Sequence, residues 1–294
     1  MPGQDLALDG LSLHWRADGD PAGRPLVLIH GLGQDLTLWD AVVPLLPAGL
    51  RILRLDLRGH GGSSVPAPPY AMGALIRDTE AAMDHWGLRD AVVAGLGLGG
   101  LVAQALAVKR LDLVRALVLS NTAVKIATPA VWARRIAAVE DGGLAAIAAD
   151  EIARWFPRAA RTGPQAEACR ARLLGCDPRG WAGAAAAIAG TDLLTPSSGL
   201  RLPTLVVAGS DDGATPPDLM RELAGLIPGA DFTLLRRTGH LPPADAPGPW
   251  AEAVSAFLAR IGETRAEPAP DPAPRHHHHH GHGHGHGHGH GHHH

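Results

Sequence analysis

The chain has 294 residues, 46% of them hydrophobic, and a formal net charge of −3. That length buries a sizeable core in one large domain or two small ones. The near-neutral balance, with no basic run, argues against nucleic acid as a partner.

The N-terminal Met1-Pro2-Gly3-Gln4-Asp5 lacks the basic start and apolar stretch of a signal peptide. No stretch is apolar for long enough to span a bilayer, so the expectation is a cytoplasmic protein without a membrane partner. Cys169 and Cys176, seven apart on an expected helix, read as small apolar residues of a reducing compartment rather than a disulfide or metal pair. Residues 263–275 are rich in Pro, Ala and charge and lead into His276–His294, histidines interleaved with glycine. That tail cannot build a core and is expected to be disordered, binding nickel or zinc loosely without a specific metal site.

In chain order, Leu6 to Trp15 alternates around Gly10 as an edge hairpin. Pro25–Ile29 is an apolar run suited to a strand buried on both faces, followed by the loop His30-Gly31-Leu32-Gly33. An amphipathic helix is expected over Leu38–Leu46, a strand over Arg51–Asp56, and a helix around Ala74–Trp86. Ala91–Leu96 is another strand, and after its helix Ala116–Leu119 is the next. From 122 to 195 the strand pattern stops. Ala-rich helical segments run there through Trp132, Trp155, Phe156 and Trp181, and read as a helical cap inserted into an α/β core of 1–121 and 196–262. The sheet resumes with Leu205–Ala208, a helix near Pro217–Leu226, the strand Phe232–Leu235, and a last helix over Trp250–Ile261. Strands alternating with helices imply a mostly parallel sheet flanked by helices and wound by right-handed crossovers.

The chain is organised around Gly95-Leu96-Gly97-Leu98-Gly99. An apolar strand meets a glycine turn there, and an apolar helix starts at once, as in the nucleophile elbow G-x-S-x-G. Gly95 and Gly99 hold the flanking positions, but the centre is Gly97. The corner is present without its nucleophile. Gly95-x-Gly97-x-x-Gly100 also fits the dinucleotide fingerprint, which requires an acid about 20 residues on, after the first strand. Leu117–Asn121 offers none, and the turn follows a third or fourth strand, so no cofactor is expected.

An acid after a late strand and a histidine after the next, both downstream of an elbow, follow the order nucleophile, acid, histidine of α/β-hydrolases. The loop His30–Gly33 can aim the Leu32 N–H beside that of Leu98 as an oxyanion site. Within that superfamily the chain resembles the 3-oxoadipate enol-lactonases over nearly all of residues 6–261. The resemblance is carried by Gln34-Asp35-Leu36-Thr37-Leu38-Trp39 and by Asp56-Leu57-Arg58-Gly59-His60-Gly61. Further on it is carried by Asn121-Thr122-Ala123, by Thr128 to Arg135, and by Arg154-Trp155-Phe156.

Those enzymes open a small anionic enol-lactone in aromatic-compound catabolism with a Ser-His-Asp triad. The resemblance implies Asp212 as the acid, with Asp211 its rival, and His240 as the base. It implies the Leu32 and Leu98 N–H groups as oxyanion donors. Trp132, Arg135 (or Arg134) and Trp155 would shape the pocket and meet a substrate carboxylate. Two positions depart from the family. His30-Gly31-Leu32-Gly33 stands where it usually has N-S-L-G, and Gly97 stands where it has serine.

A glycine cannot form an acyl-enzyme. Three functions then remain open: hydrolysis of a small lactone or ester, either impaired or carried by water that His240 and Asp212 activate, non-hydrolytic His–Asp base catalysis such as elimination or cyclisation, and ligand binding without chemistry. His30 and His60 read as loop-structuring residues and Ser120 as a core hydroxyl. The expected partner is a small molecule. The sequence carries no signal for oligomeric state.

Overall fold

The computed structural model describes residues 3–264. Eight strands form one sheet: β1 (Gln4–Leu8), β2 (Leu11–Gly19), β3 (Arg24–Ile29), β4 (Leu50–Leu55), β5 (Ala91–Leu96), β6 (Val114–Ser120), β7 (Thr204–Gly209) and β8 (Asp231–Leu235). Their spatial order is β1-β2-β4-β3-β5-β6-β7-β8. The hairpin β1–β2 and the pair β2–β4 are antiparallel, and every other neighbour is parallel. All residues of β5 and β7 are buried, as expected of strands covered on both faces.

Helices α1 (Met72–His85) and α2 (Leu98–Lys109) precede β6. Between β6 and β7 lie α3 (Pro129–Gly142), α4 (Ala148–Trp155), α5 (Pro164–Gly175), α6 (Pro178–Ala189) and the short α7 (Leu194–Ser198). Helices α8 (Pro217–Leu226), α9 (Pro242–Asp245) and α10 (Pro247–Arg260) follow among the described residues. No helix among the described residues is long and apolar enough to cross a membrane.

Two expectations are corrected. The helix read over Leu38–Leu46 is a pair of single 3-10 turns, Leu36–Trp39 and Val43–Leu45. Asp35 starts the first by accepting from the Thr37 N–H, and Pro44 supplies no N–H to continue a helix. The glycine corner follows the fifth strand, not the third or fourth, because both strands of the hairpin precede β3.

Glu263, read as the start of the tail, is 6% exposed and pairs with Arg24 and Arg115. The His/Gly-rich stretch lies outside the described residues.

Candidate active site

The corner after β5 is locked by its neighbours. A Cβ on Gly95 would collide with the Gly99 carbonyl, and one on Gly99 with the Ile29 carbonyl. Strand and helix pack as closely as they do only with glycine at both places. Gly97 sits at φ 55°, ψ −117°, a region that L side chains adopt only under strain. Its N–H donates to the Asn121 carbonyl at 3.0 Å, and its own carbonyl accepts from Thr122 Oγ1 at 2.7 Å. The elbow conformation thus persists although no side chain occupies it.

Loops at the carboxyl ends of β7 and β8 bring the acid and the imidazole to this corner. Asp212 Oδ2 accepts from His240 Nδ1 at 2.9 Å, from Thr215 Oγ1 at 2.8 Å and from Asn121 Nδ2 at 3.1 Å. Its Oδ1 accepts from the N–H groups of Ala214 and Thr215. Burial works to raise the Asp212 pKa, but the adjacent His240 and these donors prevail and hold it below the usual carboxylate value. An anion so placed fixes Nδ1 of His240 as the donor and leaves Nε2 facing the corner. A Cβ at residue 97 would stand 3.4 Å from that Nε2. Asp211 is exposed, and its carboxylate meets Ser210.

The His30–Gly33 loop is set by side chains. Gly31 N–H donates to Gln34 Oε1 at 3.0 Å, and Gly33 N–H donates to His60 Nε2 at 3.0 Å. Leu32 N–H between them, and Leu98 N–H at the start of α2, find no acceptor among the described residues. His30 Nε2 accepts from the Leu57 N–H, while Nδ1 of His30 and of His60 face the Gly31 and Arg58 carbonyls. Burial lowers the pKa of these rings to about 3 for His30 and about 4 for His60, so both are neutral acceptors.

Leu32, Gly97, Leu98 and His240 share one cavity of about 50 Å³ with Trp132, Arg135 and Trp155. That is room for a few waters, since one water needs about 10–15 Å³. The Trp132 indole is held by an Nε1–H bond to the Ile126 carbonyl, and Arg135 lies 4.8 Å from its ring centre. Arg134 is exposed and Trp181 is buried outside the cavity wall. Ser120 is fully buried, donates to Asn121 Oδ1 and accepts from Trp250 Nε1, so its hydroxyl is not a substitute nucleophile. Larger clefts occur elsewhere, such as one of about 500 Å³ lined by His14, Asp35, Asp56 and Arg172. That cleft contains neither the imidazole–carboxylate pair nor the free amides.

Sequence reasoning missed Glu151 and Arg154, which also line the cavity. Burial raises the Glu151 pKa against the opposing effect of Arg154. The available signal was a carboxylate sharing the apolar face of α4 with Ile152 and Trp155. Asn121-Thr122-Ala123 acquires a structural meaning. Asn121 bonds Asp212 and the Gly239 carbonyl, Thr122 bonds Gly97, and the Ala123 carbonyl accepts from Gln104.

A glycine elbow, an acid after β7 and a histidine after β8, on a mostly parallel eight-stranded sheet, define an α/β-hydrolase. The alpha/beta hydrolase fold family model matches residues 24–247, and the chain belongs to that family. It is 28% identical to 3-oxoadipate enol-lactonase 2 of Acinetobacter baylyi, over 87% of this chain and 96% of that one. Among solved structures, the enol-lactonase of Burkholderia xenovorans shares 33% identity at TM-score 0.84, covering 87% of this chain and 100% of that one. A thermophilic esterase of Thermogutta terrifontis with malate bound shares 31% identity at TM-score 0.82, covering 89% and 99%.

Proposed function

We propose that the chain hydrolyses a small monoanionic lactone or ester by direct attack of water, with His240 as general base. The observation that carries this reading is the gap beside Gly97, where an added Cβ would stand 3.4 Å from His240 Nε2 and where the family carries its serine side chain. A water in that gap donates one proton to Nε2 while its oxygen attacks the carbonyl carbon. Asp212 stabilises the imidazolium that forms. The Leu32 and Leu98 N–H groups bind the tetrahedral oxyanion. On collapse the C–O bond to the leaving oxygen breaks, and His240 returns the proton to that oxygen. Trp132 and Trp155 shape the acyl pocket, and Arg135 meets the substrate carboxylate.

The likeness to enol-lactonases supports this substrate class, because an enol leaving group tolerates a weaker nucleophile than an acyl-enzyme route uses. The test measures hydrolysis of an enol-lactone and of an activated aryl ester by the wild type and by His240→Gln, with intact-protein mass spectrometry. Turnover without an acyl adduct, abolished in His240→Gln, is expected. Turnover that survives in His240→Gln, or no turnover of any lactone or ester, would overturn the reading in favour of non-hydrolytic base catalysis or ligand binding alone.

A further inference from the structure

Glu151 is the one carboxylate that lines the cavity beside His240 among the described residues. Its side chain is 7% exposed, and its Oε1 accepts from Arg154 Nη2 at 2.8 Å. Arg135, the other cation of that wall, has no carboxylate at ion-pair distance among the described residues and leans on the Trp132 ring instead. Both arginines are cationic side chains, and the Glu151 carboxylate lies in direct contact with one of them. Glu151 thus pairs directly with Arg154 and acts on Arg135 only at longer range.

We propose that Glu151 sets the charge selectivity of the cavity. By pairing with Arg154 it leaves Arg135 as the one cation of the wall, among the described residues, with no carboxylate at ion-pair distance, so the site accepts monoanions and disfavours dianions. The proposal rests on reading this cavity as the site of an anionic substrate. A monoanion replaces its lost hydration with the Arg135 guanidinium. The second carboxylate of a dianion meets a guanidinium already engaged and the like charge of Glu151, so its hydration is lost without replacement. Hydrolysis of a monoanionic lactone or ester creates a second carboxylate. The product is then the dianion that the wall repels, and Glu151 favours its release.

Glu151→Gln keeps the shape of the side chain, removes one negative charge and frees Arg154 as a second cation. Calorimetric titration of the full chain at neutral pH with succinamate and succinate, a monoanion and a dianion on one skeleton, reads the effect. The wild type is expected to favour succinamate by roughly tenfold or more, as an unpaired buried charge implies. Glu151→Gln narrows or reverses that ratio, chiefly through tighter succinate binding. Arg154→Gln, a half-buried position, leaves Glu151 as an unmatched anion and weakens succinamate; it carries the test if Glu151→Gln does not fold. A succinamate-to-succinate ratio unchanged in a folded Glu151→Gln, or succinamate binding unchanged in Arg154→Gln, overturns the role of Glu151 and leaves the cavity reading intact. Failure of the wild type to bind either anion removes the cavity reading and this proposal together.

Discussion

The backbone N–H of His240 donates to the carbonyl of Trp155 at 2.8 Å, which ties the imidazole loop to the last turn of α4. One residue earlier in α4 the acid loop docks in the same way, with Gly213 N–H on the Arg154 carbonyl at 2.9 Å. A Cβ on Gly239 would collide with that same Trp155 carbonyl, so glycine is what lets the two backbones meet. The acid loop, the histidine loop and α4 form one hydrogen-bonded unit above the sheet.

The amides of that unit are expected to open together. Hydrogen exchange followed by mass spectrometry is expected to show Gly213 and His240 protected to the same degree as the C-terminal turn of α4. Opening of helices that are packed this way draws on local stability rather than on hinge freedom. Rapid exchange at His240 beside a protected α4 would refute the coupling.

Gly97→Ser is expected to change activity and stability in opposite directions. The new Cβ meets nothing closer than 3.4 Å, so the hydroxyl has space within reach of His240. Its backbone must hold φ 55°, which costs an L residue about 1–3 kcal/mol. Restoring a nucleophile to an intact imidazole and oxyanion site raises kcat by roughly 10³ or more. The checks are a thermal melt beside an ester assay that detects an acyl-enzyme by mass. A serine form with no gain in turnover would mean that His240 is not poised over residue 97.

Much of this site is written locally. Apolar runs mark the strands, paired glycines mark the corner, and acid and histidine each follow a strand end. What local patterning misses is decided by contacts across the chain. Asn121 bonds Asp212 from 91 residues away, and Glu263 finds Arg24 at a separation of 239. Leu38–Leu46 carries helical periodicity, yet capping by Asp35 and the missing donor of Pro44 break it into turns. Glu151 hides because its helix face reads as apolar, and only the neighbouring Arg154 and Arg135 give that position meaning.

His60 positions the His30–Gly33 loop from outside the cavity that holds His240. Its Nε2 engages the Gly33 N–H and so settles which amide of the loop stays free. Loss of one oxyanion donor costs about 10²–10³ in kcat, and His60→Ala, which loosens rather than removes the donor, is expected to cost roughly 10-fold or more with KM little changed. His60→Gln retains an acceptor for Gly33 and is expected to recover most of that loss. Equal kcat in the Ala and Gln variants would show that the ring only fills space.

The buried rings also set how the fold responds to acid. Burial puts His30 at about 3 and His60 at about 4, against about 6.5 in an unfolded chain. The unfolded state therefore binds protons that the native state refuses. Stability present above pH 6.5 is lost as the pH falls from there towards 4. Asp56 acts in the opposite sense. Burial raises it to about 6, so the native state holds a proton that the unfolded chain releases, and it adds stability between pH 6 and 4. Among these three groups, two rings against one carboxylate contribute a net loss of about 2–3 kcal/mol between pH 6.5 and 4.5, at about 1.4 kcal/mol per proton and pH unit. Urea unfolding at the two pH values measures it. In His60→Gln one ring remains against one carboxylate, and the loss is expected to shrink towards zero. A pH slope that His60→Gln leaves unchanged would show that His60 is already protonated in the native fold, which its bond from Gly33 forbids.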